Sequence, residues 1–332
     1  KKFTDNPTVF NRTQKEMEKT LNRLIPGKLS WKKINRNYKN EPVIEGTYKS
    51  DDGDKYKMHI VWDTYNNVTG NSDTYFCPSF YMLGEKSDKE HISAVISGLQ
   101  ADIDDIKTDY TDKIEKNVGT YKKAVEELTG RKINDEYRMC SLNAKSAKII
   151  NDTQSIELKY NGKQYDLLAF YKDVDNLKFS DIDPGYQVKA DEKPDKWAKT
   201  TSAGNDHLSS MYDTSVYLVF CEGKLEYIEA DSFRETGSVY KNEQKIISPN
   251  KALKEVIKFY EKKLLVDEVK IKSIELQYAA YYASDSSKTV KPVITPVWLV
   301  GVYDNEESIE RIAYFCYDGY TGECYGNEII SW

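Results

Sequence analysis

The sequence predicts an α+β protein. Antiparallel β-sheets carry packed helices, a C-terminal unit of one helix and three strands closes the chain, and a degenerate internal copy of that unit precedes it. Three observations carry this. The apolar spacing switches along the chain between a period of two, as in "KYKMHIVW", and steps of three and four, as from Ile92 to Leu128. The strand-like runs meet at short Gly, Asp and Asn turns, which join antiparallel neighbours. The length, 332 residues, exceeds a typical domain of about 100–150 and predicts two. We place them at 1–130, a meander with a long helical segment, and 131–332.

The elements follow in order. "NRTQKEMEKTLNRLI" spaces Met17, Leu21 and Leu24 as a helix, stopped by Pro26-Gly27. "EPVIEGTYKSDDGDKYKMHIVWDTY" reads as two strands around Asp51–Asp54, with "DTYFCPSFYML" as a third. Ser87 and Glu90 form a capping-box pattern ahead of one long helix, or two broken near Gly98 or Gly119, ended at Gly130. That stripe reads as core packing against a sheet, with a coiled-coil partner surface as the sharper alternative. "SIELKYNGKQYDLLAFY" gives a hairpin signal at Asn161-Gly162, and "TSVYLVFCEGKLEYIEADSF" another at Glu222-Gly223. Residues 172–210 turn polar and read as a long surface loop or a crossing between domains.

In the last segment Ser248 can cap and Pro249 suits the first turn of a helix. Leu253, Val256, Ile257, Tyr260 and Leu264 form its apolar face. A strand with Ile274, Leu276, Tyr278, Ala280 and Tyr282 on one face and Ser273, Glu275 and Gln277 on the other should be half exposed. "KPVITPVWLVGVY" is apolar on both faces and should be central. "ERIAYFCYDGYTGECY" ends in a hairpin.

Composition excludes some functions. The charged fraction is 31% with both signs mixed, and the net charge of −6 argues against nucleic-acid binding by the whole chain. No run approaches the about 18 apolar residues of a membrane span. The 26 tyrosines, against 10 Phe and 5 Trp, fit either AT-rich coding or ligand binding.

The helix opened by Ser248-Pro249, the strands after it, Pro296-Val297-Trp298 and the turn Asp318, Thr321, Gly322, Glu323 together resemble the PepSY-type unit. From Ser215 to Trp298 the chain is also similar to the YycH/YycI proteins. The resemblance covers about residues 215–325, and Thr120 to Tyr171 reads as a degenerate copy of the unit. It implies an extracytoplasmic protein of a Gram-positive envelope that acts on another envelope protein, with a sensor kinase or a protease as candidates. Those families are anchored through an N-terminal helix. The chain here begins "KKFTDNP", which reads as a mature product whose signal or lipoprotein segment has been removed, so any membrane link would run through that missing anchor.

Five cysteines offer no close Cys-x-x-Cys pair for zinc or redox chemistry. If Tyr317 pairs with Glu323, Cys316 lies opposite Cys324 within disulfide range, and a register one residue off leaves two thiols. Cys77, Cys140 and Cys221 sit in apolar runs as small hydrophobes. His59, His91 and His207 are isolated, and the loop around His207, with Asp206, Ser209 and Ser210, reads as solvated. The acidic stretches at 51–54, 102–105 and 173–183 lack calcium-loop spacing. No catalytic residue, metal or cofactor is therefore assigned. Tyr278, Tyr281, Tyr282, Trp298 and Tyr303 fall on adjacent strands as core or, if one face is uncovered, as a binding surface. The sequence thus leads to a non-enzymatic binding or regulatory protein. The alternatives are a carbohydrate- or peptide-binding module on the tyrosine-rich sheet, or a hydrolase with paired carboxylates.

Overall fold

The computed structural model describes residues 3–4, 12–36, 41–65, 75–100, 112–154, 157–179, 216–230, 235–236, 245–262, 269–284, 290–304, 311–322 and 324–330. The protein is α+β, and its sheets are antiparallel throughout. A two-residue strand β1 (Phe3–Thr4) pairs only with β11 (Glu235–Thr236). Helix α1 (Gln14–Leu21) starts at a capping box in which the Thr13 hydroxyl accepts from the Glu16 N–H at 3.2 Å and Glu16 accepts from the Thr13 N–H at 2.7 Å. Met17, Thr20 and Leu21 turn inward. Four strands follow as a meander: β2 (Gly27–Arg36), β3 (Glu41–Ser50), β4 (Lys55–Tyr65) and β5 (Tyr75–Gly84). Gly53, at φ 91°, makes the β3–β4 turn where the sequence places it.

Within the long helical stretch the described residues form α2 (Lys89–Gln100) and α3 (Asp112–Thr129), with Gly98 and Gly119 inside helix; 101–111 lie outside the described residues. The expected Ser87 cap is replaced by its neighbour: Asp88 Oδ1 accepts from the His91 N–H at 3.3 Å, while the Ser87 hydroxyl bonds Glu226. Gly130, at φ 67°, ends α3 and donates to Glu126 O at 2.8 Å. Then come β6 (Ile133–Leu142), α4 (Ala144–Gln154), β7 (Tyr165–Val174), β8 (Leu177–Lys178), β9 (Val216–Cys221) and β10 (Lys224–Ala230).

The expected hairpin at Asn161-Gly162 is not one. Gly162 does turn, at φ 81°, but the residues before it form no strand. The Asn151 side chain holds Leu158 instead, accepting its N–H and donating to its C=O, both at 2.9 Å, and so takes the place of a strand neighbour. The partners of β7 are β6 and β9.

These strands make one large sheet in the order β2-β3-β4-β5-β10-β9-β7-β6, with β8 beside β7. The position 130–131 falls within it, since strands from both sides share the sheet. On one face α1 and α3 pack, with Met17, Leu21, Ile114, Val118, Tyr121, Val125 and Leu128 meeting Ile44, Tyr48, Met58, Leu168, Phe170 and Phe220. On the other face α2 and α4 cover Cys140, Leu142, Leu167, Ala169, Tyr217 and Val219, which belong to β6, β7 and β9.

The C-terminal unit is α5 (Pro249–Glu261) and a sheet in the order β12 (Lys270–Ser284), β13 (Val290–Asp304), β14 (Arg311–Asp318), β15 (Cys324–Ile330). Ser248 is the cap residue and Pro249 opens the helix as expected, but the Ser248 side chain makes no capping bond. Ala252 and Val256 seat α5 on Val300, Val302, Phe315 and Tyr317, whereas Ile257 is exposed. The opposite face is not half exposed at its middle: Gln277 is 3% and Ala279 1% exposed, and Ala279 packs with Val297, Leu299 and Cys316. Segment 175–179 meets the β12 edge through a bridge from Phe179 to Tyr278 and a Lys178–Glu275 ion pair at 2.5 Å.

One order thus recurs three times, a helix followed by a four-stranded meander: α1 with β2 to β5, α3 with β6, β7, β9 and β10, and α5 with β12 to β15. The copy expected at 120–171 is part of the second of these, which runs on to Ala230.

Candidate functional site

The second face of the large sheet divides into two halves. Over β6, β7 and β9 it lies under α2 and α4, and Leu83 of β5 packs against the same cluster; among the described residues no member of that cluster comes from β2, β3 or β4. The strand sequences set this difference. β7 is buried along nearly its whole length, whereas β4 alternates exposed Lys55 and Lys57 with buried Tyr56, Met58 and Ile60.

Register aligns the outward residues of the open half into rows. Lys28 faces Lys49, which faces Lys55. Ser30 faces Thr47, Thr47 faces Lys57, and Lys57 faces Leu83. Lys32 faces Glu45, then come His59, Tyr81 and Glu229. Five exposed lysines, 28, 32, 49, 55 and 57, therefore share one face, and none makes an ion pair among the described residues. Neighbouring strands lie about 4.8 Å apart, so the Lys28–Lys49–Lys55 row sets three ammonium stems side by side. Like charges directly opposite destabilise a strand pair. The row therefore opposes strand pairing and does not support it.

At one end of this face a cleft of about 280 Å³ opens beside the β3–β4 turn. Asp54, Glu85 and Glu226 line it, with Tyr56 behind. Two of these three carboxylates are engaged: Lys224 pairs with Asp54 and the Ser87 hydroxyl donates to Glu226. A Cβ at Gly84 would meet Ser87 Oγ and Glu226 Oε2, so both side chains would have to shift. Burial, with Glu226 and Asp54 adding to it, pushes the Tyr56 phenol well above its ordinary value, and its hydroxyl donates to Leu225 O at 3.0 Å, so it is not a base.

The covered half holds a polar cluster of a different kind. His91, 2% exposed, sits with Nδ1 at 3.0 Å from Asp88 Oδ2 and accepts the Asn161 N–H on Nε2 at 3.1 Å. It stacks on Tyr165 at 5.2 Å. The Asn161 amide donates to Asp88 at 3.1 Å and to the Tyr165 hydroxyl at 2.8 Å. An Asp–His pair suggests general-base chemistry. Here the second ring nitrogen is occupied by a backbone N–H, so His91 ties α2 to the 157–164 strap instead. Burial raises the Cys221 thiol and the Tyr165 phenol, the latter to about 12, which favours the protonated form of each.

The aromatic set divides. Trp298 packs on the α5 side and donates its indole N–H to Ile247 O at 3.0 Å. Tyr278 lies at the edge facing segment 175–179, its hydroxyl 3.2 Å from Asp175, and its phenol is pushed up to about 12 by burial and then by Asp175. Tyr303 shares its parity on β13 with Val297 and Leu299, the opposite face, with Lys272 over its ring at 5.9 Å. Tyr281 and Tyr282 lie on β12 opposite Val293 and Pro292, and their side chains are outside the described residues.

The β14–β15 turn is a clasp. Asp318 Oδ1 accepts from Tyr320 and Thr321 N–H at 2.8 and 2.7 Å, Gly322 adopts φ 76°, and Thr321 O accepts from Lys251 at 2.9 Å. Of the two registers left open at Cys316 and Cys324, the structure has the one without a bond: Cys324 faces Tyr317 and Cys316 faces Gly326, the one-residue shift that leaves two thiols. Glu323 and His207 lie outside the described residues, as do the acidic stretch at 102–105 and Asp181 and Asp183.

Among the described residues no His, Cys, Asp and Glu group is spaced to hold a metal ion, and no helix is long and apolar enough to cross a membrane. The lysine face was missed in the sequence because its members lie on three strands. The available signal was a lysine at alternate positions opposite the apolar set on each of them.

No protein-family model matches the chain, and no curated protein matches it. Among solved structures, the chain is similar to an uncharacterized protein from Eubacterium rectale ATCC 33656, with a TM-score of 0.56 and 14% identity over 98% of this chain and 84% of that one. At that identity the likeness is one of fold.

Proposed function

We propose that this is a non-enzymatic binding protein of the cell envelope, and that its lysine face docks an acidic segment of another envelope protein, a sensor kinase or a protease being the candidates. The observation that carries the reading is the Lys28–Lys49–Lys55 row, flanked by Lys32 and Lys57, on strands that, among the described residues, give no member to the cluster under α2 and α4. A chain of net charge −6 that gathers five cations there has a local field opposite to its overall charge. Such a face steers an acidic partner and fixes its orientation. The resemblance of residues 215–325 to PepSY and YycH/YycI proteins supports the envelope setting. The engagement of His91 by Asn161 and of Glu226 by Ser87 speaks for binding over catalysis.

The test is a photo-crosslinker at Thr47, exposed in the middle of the face, in cells that make the protein. The expected result is one envelope protein in the adduct, lost when Lys28, Lys49 and Lys57 are replaced by Glu. An adduct that survives the charge reversal, or the absence of any adduct, overturns the reading.

A further inference from the structure

The three helix-plus-meander units do not end alike. The first two join through their last strands: β5 and β10 pair antiparallel, with Phe80 to Leu83 opposite Ala230 to Tyr227. The join sets the two meanders about an approximate twofold axis between β5 and β10, and it places α1 and α3 on the same face over one core. Eight strands in two units thereby protect both last strands.

The third unit ends on β15, whose partner is β14, and among the described residues no strand lies beyond it. The edge at the other end of this sheet, β12, is met by Phe179 and Lys178. A last strand with open N–H and C=O groups is a template for pairing, which proteins ordinarily blunt with Pro or Lys. β15 reads "CYGNEII", with no Pro or Lys and Glu328 as its one charged residue, and its register shifts lie toward the turn.

It resembles β10, which does pair, in one further respect. β10 leaves its turn through a register shift between Leu225 and Tyr227 and then offers four regular residues to β5. β15 leaves its turn through shifts between Tyr317 and Tyr314 and then runs regularly along Tyr314 and Ala313.

We propose that the chain forms a homodimer in which β15 pairs antiparallel with β15 of a second copy, extending the C-terminal sheet to eight strands as β5–β10 pairing does within the chain. The occupant is a second copy because the fold already joins two of its own units by their last strands, and an antiparallel pair of identical strands is self-complementary about a twofold axis.

The experiment uses the full chain. Light scattering after size exclusion is expected to give twice the chain mass of 38.3 kDa. In a Cys324→Ser background, which keeps Cys77, Cys140, Cys221 and Cys316, one cysteine at a time is then added at positions 325 to 329 and oxidised mildly. The residue nearest the axis faces its own copy, so one position, or two at alternate steps, should yield a linked dimer, and the background protein should not. A mass of one chain at every concentration overturns the proposal, as does a dimer with no crosslink along β15. These outcomes leave the lysine-face reading untouched, since that face belongs to β2 to β4.

Discussion

The two halves of the large sheet are built from the same unit, yet their second faces differ. In the β6–β7–β9 half the strands are apolar on both sides and are enclosed by helices on both. In β2 to β4 they alternate, and Lys28, Lys32, Lys49, Lys55 and Lys57 stand on the outward side. A strand written as "YDLLAFYKDV" fixes burial on both faces, whereas "KYKMHIVW" leaves one face open to water. The first half contributes stability, and the second surrenders some of it to hold like charges in register. The proposed binding surface rests on that division.

The comparison can be broken from either side. The largest effect is expected in the enclosed half: Phe170→Ala, at a fully buried position on β7, should lower unfolding free energy by about 3–5 kcal/mol in urea titrations. A loss near zero would mean the helices do not enclose that strand. Asn151→Ala removes both bonds to Leu158 and should cost about 1–3 kcal/mol, with faster amide exchange across 157–164 and little change in β2 to β5.

The open half should respond in the opposite sense. Lys49→Glu inserts a carboxylate between Lys28 and Lys55 and should raise stability by about 0.2–1 kcal/mol while weakening partner capture. Destabilisation there would sink the like-charge argument.

A pH effect should separate the halves as well. Burial lifts the Tyr165 phenol from 10.0 to about 12 in the folded chain. Its contribution is therefore complete below the unfolded value and is lost as pH rises through the folded one. Tyr165→Phe should flatten the alkaline decline between those values. An unchanged slope would assign the decline to other groups.

Much of this architecture was legible in the sequence. The apolar period marked α1, the β3–β5 meander and α5, and both-face apolarity correctly made β13 central. What escaped had a local cause. β2 was passed over because only Leu29 and Trp31 alternate in it: Lys33 takes the next position of that parity, and Ile34 falls on the other. α4 is short, and Ala147 and Ile150 are its only fully buried apolar anchors. Asn161-Gly162 carried a true turn signal, but the strand expected before it is a strap held by a side chain. The candidate site was the least legible part. Lys28, Lys49 and Lys55 become neighbours only once two hairpin registers are set, and spacing along the chain does not encode that.

The most direct test of the central claim is lysine footprinting of the protein with its captured partner, comparing methylation rates of each amine with and without it. Protection of Lys28, Lys32, Lys49, Lys55 and Lys57, lost progressively as salt rises, with Lys145 and Lys148 on α4 unchanged, is the predicted result. Protection on α4 or the C-terminal unit, with the five lysines unaltered, would contradict it.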